Sequence, residues 1–461
     1  MTDLTVHPVV DDGLGNTAYL VDLADSRALV VDASRDLRAV RAAAERRGLR
    51  IGWAADTHLH ADFLSGAHDL SAHDGATVLA STAGGRLFDH TGLADGDEVD
   101  LGGLRLRALR TPGHTDEHLA FTLHDGPRTL GVFTGGSLLV GAVARTDLVD
   151  PDRAEELARA QFRSVQRLLT LPDDTPVWPT HGAGSFCSAP AGANRTTFIG
   201  TERATNPLLA TRDEDDFVAR LLASLGSYPP YFRDLPERNR RGPIPFQSDP
   251  RLRPLAAAEV ARACNSGAQV VDVRPVEDFS HAHLPGSLSI ALRGAFASWL
   301  GWLTTPDQHL VIVRNDDQDP DEIVWQAVKV GYDNVDTELR GGIAAWAAAG
   351  FDVANTPLLP AASLDQRPLL DVRQQAEYVA GHVRGAAHVE LGNLGRQTND
   401  NPTDDPAGIP AGPLAVMCGH GERAMTAASV LERAGRTDLV AVAGGPEDVS
   451  KDRGTQLAVG R

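Results

Sequence analysis

The chain has 461 residues with 43 basic and 62 acidic side chains, a formal net charge of −19. That length accommodates two to four domains of about 100–200 residues. With 42% hydrophobic and 23% charged residues, the chain is not wholly disordered. The acidic surplus excludes a general binder of phosphate backbones, which needs a basic face.

Three cysteines, Cys187, Cys264 and Cys418, are too few for a disulfide framework and suit a reducing compartment. The first residues show no basic segment followed by an apolar one, and no stretch nears about 18 apolar residues. The expectation is a cytoplasmic protein with no membrane and no nucleic-acid partner.

In chain order, Ala28–Asp32 reads as a buried strand, Leu37–Arg47 has helical spacing, and Ile51–Ala55 reads as a second strand. That strand runs into Thr57-His58-Leu59-His60-Ala61-Asp62, placing the cluster on a loop aimed by a rigid strand. His58, His60 and Asp62 alternate, so in extended backbone they point one way and can converge on one ion. Further polar residues sit in Gly- and Thr-rich turns: Thr111-Pro-Gly-His114-Thr, Phe133-Thr-Gly-Gly136-Ser and Pro179-Thr-His181-Gly-Ala-Gly. The set reads as a metal-site framework.

From about residue 206 the composition turns to Pro, Arg and aromatics, as in Ser227-Tyr-Pro-Pro-Tyr-Phe. A helix over Glu214–Leu225 and then a linker are expected, because consecutive prolines stop regular elements. The remaining chain repeats itself. Val270-Val-Asp-Val-Arg274 matches Leu369-Leu-Asp-Val-Arg373, and Asp272/Asp371, His283/His382 and Gly286/Gly385 are each 99 residues apart. Such a period means tandem domains, with Pro357–Ala361 as the boundary.

In the second copy, Cys418-Gly-His-Gly-Glu-Arg423 lies between the apolar run Leu414–Met417 and the helical run Met425–Ala434. Strand, cysteine loop and helix form a nucleophile arrangement: loop N–H groups and the helix N-terminus favour thiolate. Arg423 is expected to hold an anionic substrate, and Gly419, His420, Gly421 and Glu422 to form the cradle. In the first copy the corresponding strand, His309–Val313, leads into Arg314-Asn-Asp-Asp317, which has no cysteine. Cys187 and Cys264 lack comparable sequence surroundings, and Cys264, in Val260-Ala-Arg-Ala-Cys, fits a helix face and reads as structural.

On these residues the chain resembles the metallo-β-lactamase superfamily. More closely it resembles the persulfide dioxygenases of that superfamily that are fused to rhodanese domains. The motifs run in order from Gly15-Asn16 through Thr57–Asp62, Ser65-Gly-Ala67, Thr111–Thr115, Arg145-Thr-Asp147-Leu and His181–Ser185 to Thr197–Pro207 and Tyr228-Pro-Pro-Tyr231, then into the Cys418 loop. The resemblance implies an α/β chain. A metallo-β-lactamase αβ/βα sandwich over residues 1–205 would be followed by an extension and linker over 206–250. A rhodanese-like domain without a cysteine, over 251–357, and a rhodanese domain with Cys418, over 361–461, would follow, both with parallel sheets.

The resemblance also implies iron(II) held by His58, His114 and a carboxylate at position 136, with His60, Asp62 and His181 in the same centre. Arg145 would stand near the substrate or form an ion pair with Asp147. Two positions depart from the family: Phe63 replaces a histidine and Gly136 replaces the carboxylate. Three outcomes stay open. His58, His60 and His114 form a three-histidine zinc site; Asp62 restores a weaker iron site; or the pocket serves as scaffold. If the missing carboxylate is uncompensated, the protein should hold sub-stoichiometric iron and Gly136→Asp should raise iron content and oxygen uptake together. The implied activities are oxidation of a low-molecular-weight persulfide such as that of glutathione to sulfite, and sulfane-sulfur transfer through Cys418. The partners would be persulfide, thiosulfate or sulfite, with self-association open.

Overall fold

The computed structural model describes residues 6–187, 194–394 and 408–460. Residues 1–5, on which the expectation of no leader partly rests, lie outside this range. The chain divides into two units, Met1–Asp249 with Val328–Gly331, and Pro250–Ala327 with Tyr332–Arg461.

The first unit is built on two six-stranded sheets. One runs in chain order through β1 (Val6–Asp11), β2 (Asn16–Asp22), β3 (Arg27–Val31), β4 (Arg50–Ala55), β5 (Thr77–Ser81) and β6 (Thr91–Leu93). The other comprises β7 (Glu98–Asp100), β8 (Leu104–Arg110), β9 (Leu119–Asp125), β10 (Arg128–Gly135), β11 (Pro176–Pro179) and β12 (Thr197–Phe198). Both mix antiparallel and parallel pairs.

Alternation along the strands explains the layering, since successive side chains point to opposite faces. Tyr19 and Val21 pack with Leu106, Phe121, Leu123 and Phe133 between the sheets. Their neighbours Leu20 and Val30 pack outward on Val40, Ala43 and Leu70 of the helices Arg38–Glu45 and Ala67–Asp74. On the other side, Ala120, Val132 and Val177 meet Ala158, Val165 and Leu168 of the helix Ala154–Leu168. The result is helix, sheet, sheet, helix, the sandwich implied above.

The segment expected as extension and linker belongs to this unit. Phe217, Val218 and Leu221 of the helix Glu214–Ala223 join the outer core. The helix Leu235–Arg241 carries Asn239, whose buried amide donates to the carbonyls of His60 (2.7 Å) and Phe63 (2.9 Å) and accepts from Ser65 N–H (2.8 Å). The Pro-rich composition hides this, because one asparagine does the anchoring.

The second unit holds two five-stranded sheets, each wholly parallel. The first contains β13 (Arg253–Leu255), β14 (Gln269–Asp272), β15 (Leu288–Ser289), β16 (Leu310–Val313) and β17 (Thr337–Leu339), in the order β13-β17-β16-β14-β15. The second contains β18 (Leu358–Pro360), β19 (Leu369–Asp371), β20 (Ala387–His388), β21 (Leu414–Met417) and β22 (Leu439–Ala443), in the same order, β18-β22-β21-β19-β20.

The repeat read in the sequence is therefore a repeat of structure. In each copy an arginine two residues past the strand grips the strand's last carboxylate and the backbone beyond. Arg274 binds Asp272 and Ala282 O, and Arg373 binds Asp371 and Gly381 O. The repeated histidines stack on an aromatic four residues earlier, His283 on Phe279 and His382 on Tyr378. The boundary at Pro357–Ala361 is more than a spacer: Leu358–Pro360 forms β18 at the sheet edge, where a proline without an N–H is tolerated.

Candidate metal centre and cysteine loop

Strand ends β3, β4, β10 and β11 deliver one buried group of polar residues. His58, His60 and Asp62 follow β4, Gly136 follows β10, His181 follows β11, and His114 sits between β8 and β9. The ring centroid of His58 lies 4.1 Å from His60, 4.8 Å from His114 and 5.4 Å from His181. The Nε2 atoms of His58 and His181 face each other at 3.4 Å.

The hydrogen-bond network assigns the protons on these rings. Thr57 Oγ1 donates to Asp32 (2.7 Å), so it accepts from His58 Nδ1 (2.8 Å). Nδ1 of His114 donates to the carbonyl of Arg145 (2.7 Å), and that of His181 to Asn16 Oδ1 (3.0 Å). Each of these three rings therefore presents an unprotonated Nε2. His60 is reversed: Nε2 meets Asp32 at 3.2 Å and Nδ1 is left bare. His60 Nδ1, His114 Nε2 and one oxygen of Asp62 are buried without a partner among the described residues.

Fixing one ring nitrogen from behind and leaving the other bare is how proteins present imidazole to a metal. Charge agrees. Burial, then the neighbouring imidazoles, pushes His58 well below the usual histidine value and His114 down to about 3. For His60, burial acts in the same direction but Asp32 outweighs it, and the net shift is upward. Burial opposes ionisation of Asp62, yet His181, His60 and Asn16 hold that carboxyl below its ordinary range. The unsatisfied atoms could take a divalent transition metal: His58, His60 and His181 form one buried trio with ligand atoms within 4.8 Å of one another, and His114 and His181 with Cys187 form a second.

Asp62 binds Asn16 Nδ2 (2.9 Å) and His181 Nδ1 (3.2 Å) through one oxygen, which orients His181, and its other, buried oxygen stays available to an ion. Phe63 stacks on His60 at 4.1 Å. Gly136 is not an open slot: a Cβ there would lie 2.3 Å from His114 Cδ2.

Arg145 is buried and gives its guanidinium to Asp147 (2.7 and 2.9 Å), Phe186 O (3.0 Å) and Gly226 O (2.7 Å), beneath the Tyr228 ring. That is the ion-pair arrangement, with the donors turned to the protein. Gly15 has φ +72, and a Cβ on it would sit 2.2 Å from Ser185 N, so the close approach of two loops beside His181 requires glycine.

Three neighbours were missed from sequence. Asp32, at φ 53, receives Thr57 N–H (2.7 Å) besides Thr57 Oγ1 and His60, and Thr180 Oγ1 also bonds to it. His118 is buried but occupied, accepting Gly136 N–H at 3.0 Å and meeting Thr111 Oγ1 at 2.9 Å. Cys187, assigned no role from sequence, is fully buried with its sulfur near His114 and His181. None sits in a motif. The only signal for Asp32 is its place at the end of a buried strand.

In the second unit, Cys418 follows β21, and its sulfur accepts Gly421 N–H at 3.1 Å. Gly421, at φ +107, starts the helix Glu422–Arg433. His420 is exposed, Gly419 and Glu422 are half-buried, and Cys418 is buried. Arg423 does not stand free for an anion: Nη1 and Nη2 meet Glu377 at 2.6 and 2.8 Å. In the first copy Asp278 stands where Glu377 stands in the second. It accepts from Asn315 (2.6 Å), and Arg314 pairs with Glu338 (2.5 Å), so the cysteine-less loop is tied to the helix Val276–His281 and to β17.

Two sheets between helices, with a buried histidine centre at the strand ends, define a metallo-β-lactamase-fold protein. Residues 256–349 and 359–452 each match the Rhodanese family of rhodanese-like domains. The chain is 30% identical over 205 residues to the mitochondrial persulfide dioxygenase of Homo sapiens, covering 43% of this chain and 72% of that protein. It is also 30% identical over 208 residues to the beta-lactamase hydrolase-like protein of Xylella fastidiosa, covering 41% of this chain and spanning only 45% of that relative's length. A metallo-beta-lactamase from Staphylococcus aureus superposes with a TM-score of 0.66 at 26% identity, over 73% of this chain and 98% of that one. The chain belongs to the metallo-β-lactamase-fold family that includes the persulfide dioxygenases, and it carries two rhodanese-like domains in its C-terminal half. It is an enzyme. Among the described residues no helix is long and apolar enough to cross a membrane.

Proposed function

We propose that the enzyme works in sulfur metabolism, moving sulfane sulfur through Cys418 and acting on a low-molecular-weight persulfide at the histidine centre, with sulfite as product. The observation that carries the reading is the Cys418 sulfur in contact with Gly421 N–H at the head of a helix, inside a matched rhodanese-like domain. There the thiolate attacks the outer sulfur of thiosulfate, the S–S bond breaks, and sulfite leaves with the electron pair. A thiol or cyanide then takes the sulfur and restores the thiolate.

In the N-terminal domain, His58, His60, His114 and His181 would hold iron, whose chemistry there is activation of oxygen. The chain's own part is to aim the four imidazoles: Asp32 and Thr57 fix His60 and His58, Arg145 O fixes His114, and Asn16 with Asp62 fixes His181. A second reading, a zinc-dependent hydrolase, is favoured by one fact: the centre lacks the carboxylate at 136 and is rich in imidazole, a donor set that suits zinc. Elemental analysis of the purified protein, with oxygen uptake on glutathione persulfide and thiocyanate formation from thiosulfate and cyanide, tests both. Iron with oxygen uptake supports persulfide oxidation; zinc without uptake supports the hydrolase.

A further inference from the structure

Cys187 lies six residues past His181, and its backbone is tied on both sides. Its N–H donates to Ser185 Oγ (3.1 Å) and its carbonyl accepts Arg145 N–H (3.0 Å). Arg145 is the residue whose own carbonyl fixes His114 Nδ1, so one residue sets both Cys187 and His114. The Cys187 sulfur and a ring nitrogen each of His114 and His181 lie within 4.8 Å of one another, all buried. Bonds of about 2.0–2.3 Å to one shared ion nearly cover that span. His114 Nε2, fully buried, has no partner among the described residues. The side chain that would have supplied an anionic ligand at 136 is absent.

We propose that Cys187 is a metal ligand, its thiolate replacing the carboxylate missing at Gly136. The inference rests on the reading that this pocket binds a metal. On binding, the S–H bond gives way to an S–metal bond and the proton passes to buffer. A negatively charged ligand atom is thereby placed among the imidazole nitrogens. It is sulfur rather than oxygen, which shifts the preference of the site toward thiophilic ions such as zinc.

Cobalt(II) tests this on the full-length protein after chelation and dialysis, because it reports ligands by colour. Visible d–d absorption should appear on titration with cobalt. A near-ultraviolet thiolate-to-cobalt charge-transfer band should rise with it to one equivalent. The band should persist in the double variant Cys264→Ser/Cys418→Ser, in which Cys187 is the only thiol. It should vanish in Cys187→Ser, where apparent metal affinity should fall by about 10–100-fold or more. The double variant keeps the test decisive should Cys187→Ser fold poorly. Visible absorption without the charge-transfer band in the double variant overturns the role of Cys187 and leaves the metal centre standing. Absence of any cobalt absorption in the natural protein overturns both.

Discussion

A β-carbon on Gly136 would meet the ring of His114 at 2.3 Å from Cδ2 and 2.8 Å from Cγ, so the histidine occupies the room in which a carboxylate at this position would begin. Nor is the ring free to swing away, since Arg145 O holds its Nδ1 and Gln161 Oε1 accepts its backbone N–H (2.9 Å).

Gly136→Asp should therefore damage the centre instead of repairing it. Overpacking of this kind costs about 1–3 kcal/mol. The variant should melt at a lower temperature and hold less metal than the natural protein. A gain in iron at unchanged melting temperature would show that the ring yields freely, and the packing argument would fail.

Asp32 anchors His60, Thr57 and Thr180 from behind the centre. Asp32→Asn keeps the shape and tolerates the left-handed backbone at φ 53, but removes the charge facing His60. Metal affinity should fall about 10–100-fold with little loss of stability. Asp32→Ala should lose both. Chelator competition alongside thermal melting separates the two effects, and equal affinities for natural protein and Asp32→Asn would remove Asp32 from the centre.

For sulfur transfer, Cys418→Ser should abolish thiocyanate formation, whereas Cys264→Ser, on the half-buried face of the helix Ala257–Asn265, should retain most of it. After thiosulfate treatment, mass spectrometry should find one extra sulfur on the peptide containing Cys418. Undiminished turnover in Cys418→Ser would refute the assignment.

The Arg423–Glu377 pair makes a pH-dependent prediction. Burial raises the Glu377 pKa, but Arg423 outweighs it, and the carboxyl titrates below its usual 4.5. A depressed carboxyl stabilises the fold above the ordinary value, and that contribution is lost as pH falls through the lower one. The same fall releases the Arg423 guanidinium. Glu377→Gln should lower the KM for thiosulfate near neutrality, and Arg423→Ala should raise it. The natural protein should approach the Glu377→Gln value as the pH drops below the usual glutamate range. A KM indifferent to both substitutions would place Arg423 outside substrate binding.

His58, His60, His114 and His181 were legible because each stands in a Gly- or Thr-rich turn after an apolar run, and the duplication was legible in Asp272-Val-Arg274 and Asp371-Val-Arg373. What stayed hidden depends on distance along the chain. Asn239 reaches the carbonyl of His60 from 179 residues away, and Glu377 reaches Arg423 across 46. Cys187 sits among Ser, Phe and Ser with no motif. Only the folded approach of its loop to Arg145 sets it beside the histidines. Local pattern finds groups that the chain delivers; it does not find what the fold brings to meet them.

The helix Glu422–Arg433 begins at the cysteine loop and ends on the other copy. Near its far end Ser429 Oγ accepts Ser289 N–H (3.0 Å), and Glu432 meets Thr356 Oγ1 (2.9 Å) and His283 Nε2 (3.2 Å). At about 1.5 Å per residue, these anchors stand only some 10–15 Å from the start of the helix. The copy without a nucleophile is thus a splint, bound along the rod whose tip carries its sibling's reactive sulfur. Cutting it away would not delete a spare part; it would leave that rod supported on one side only.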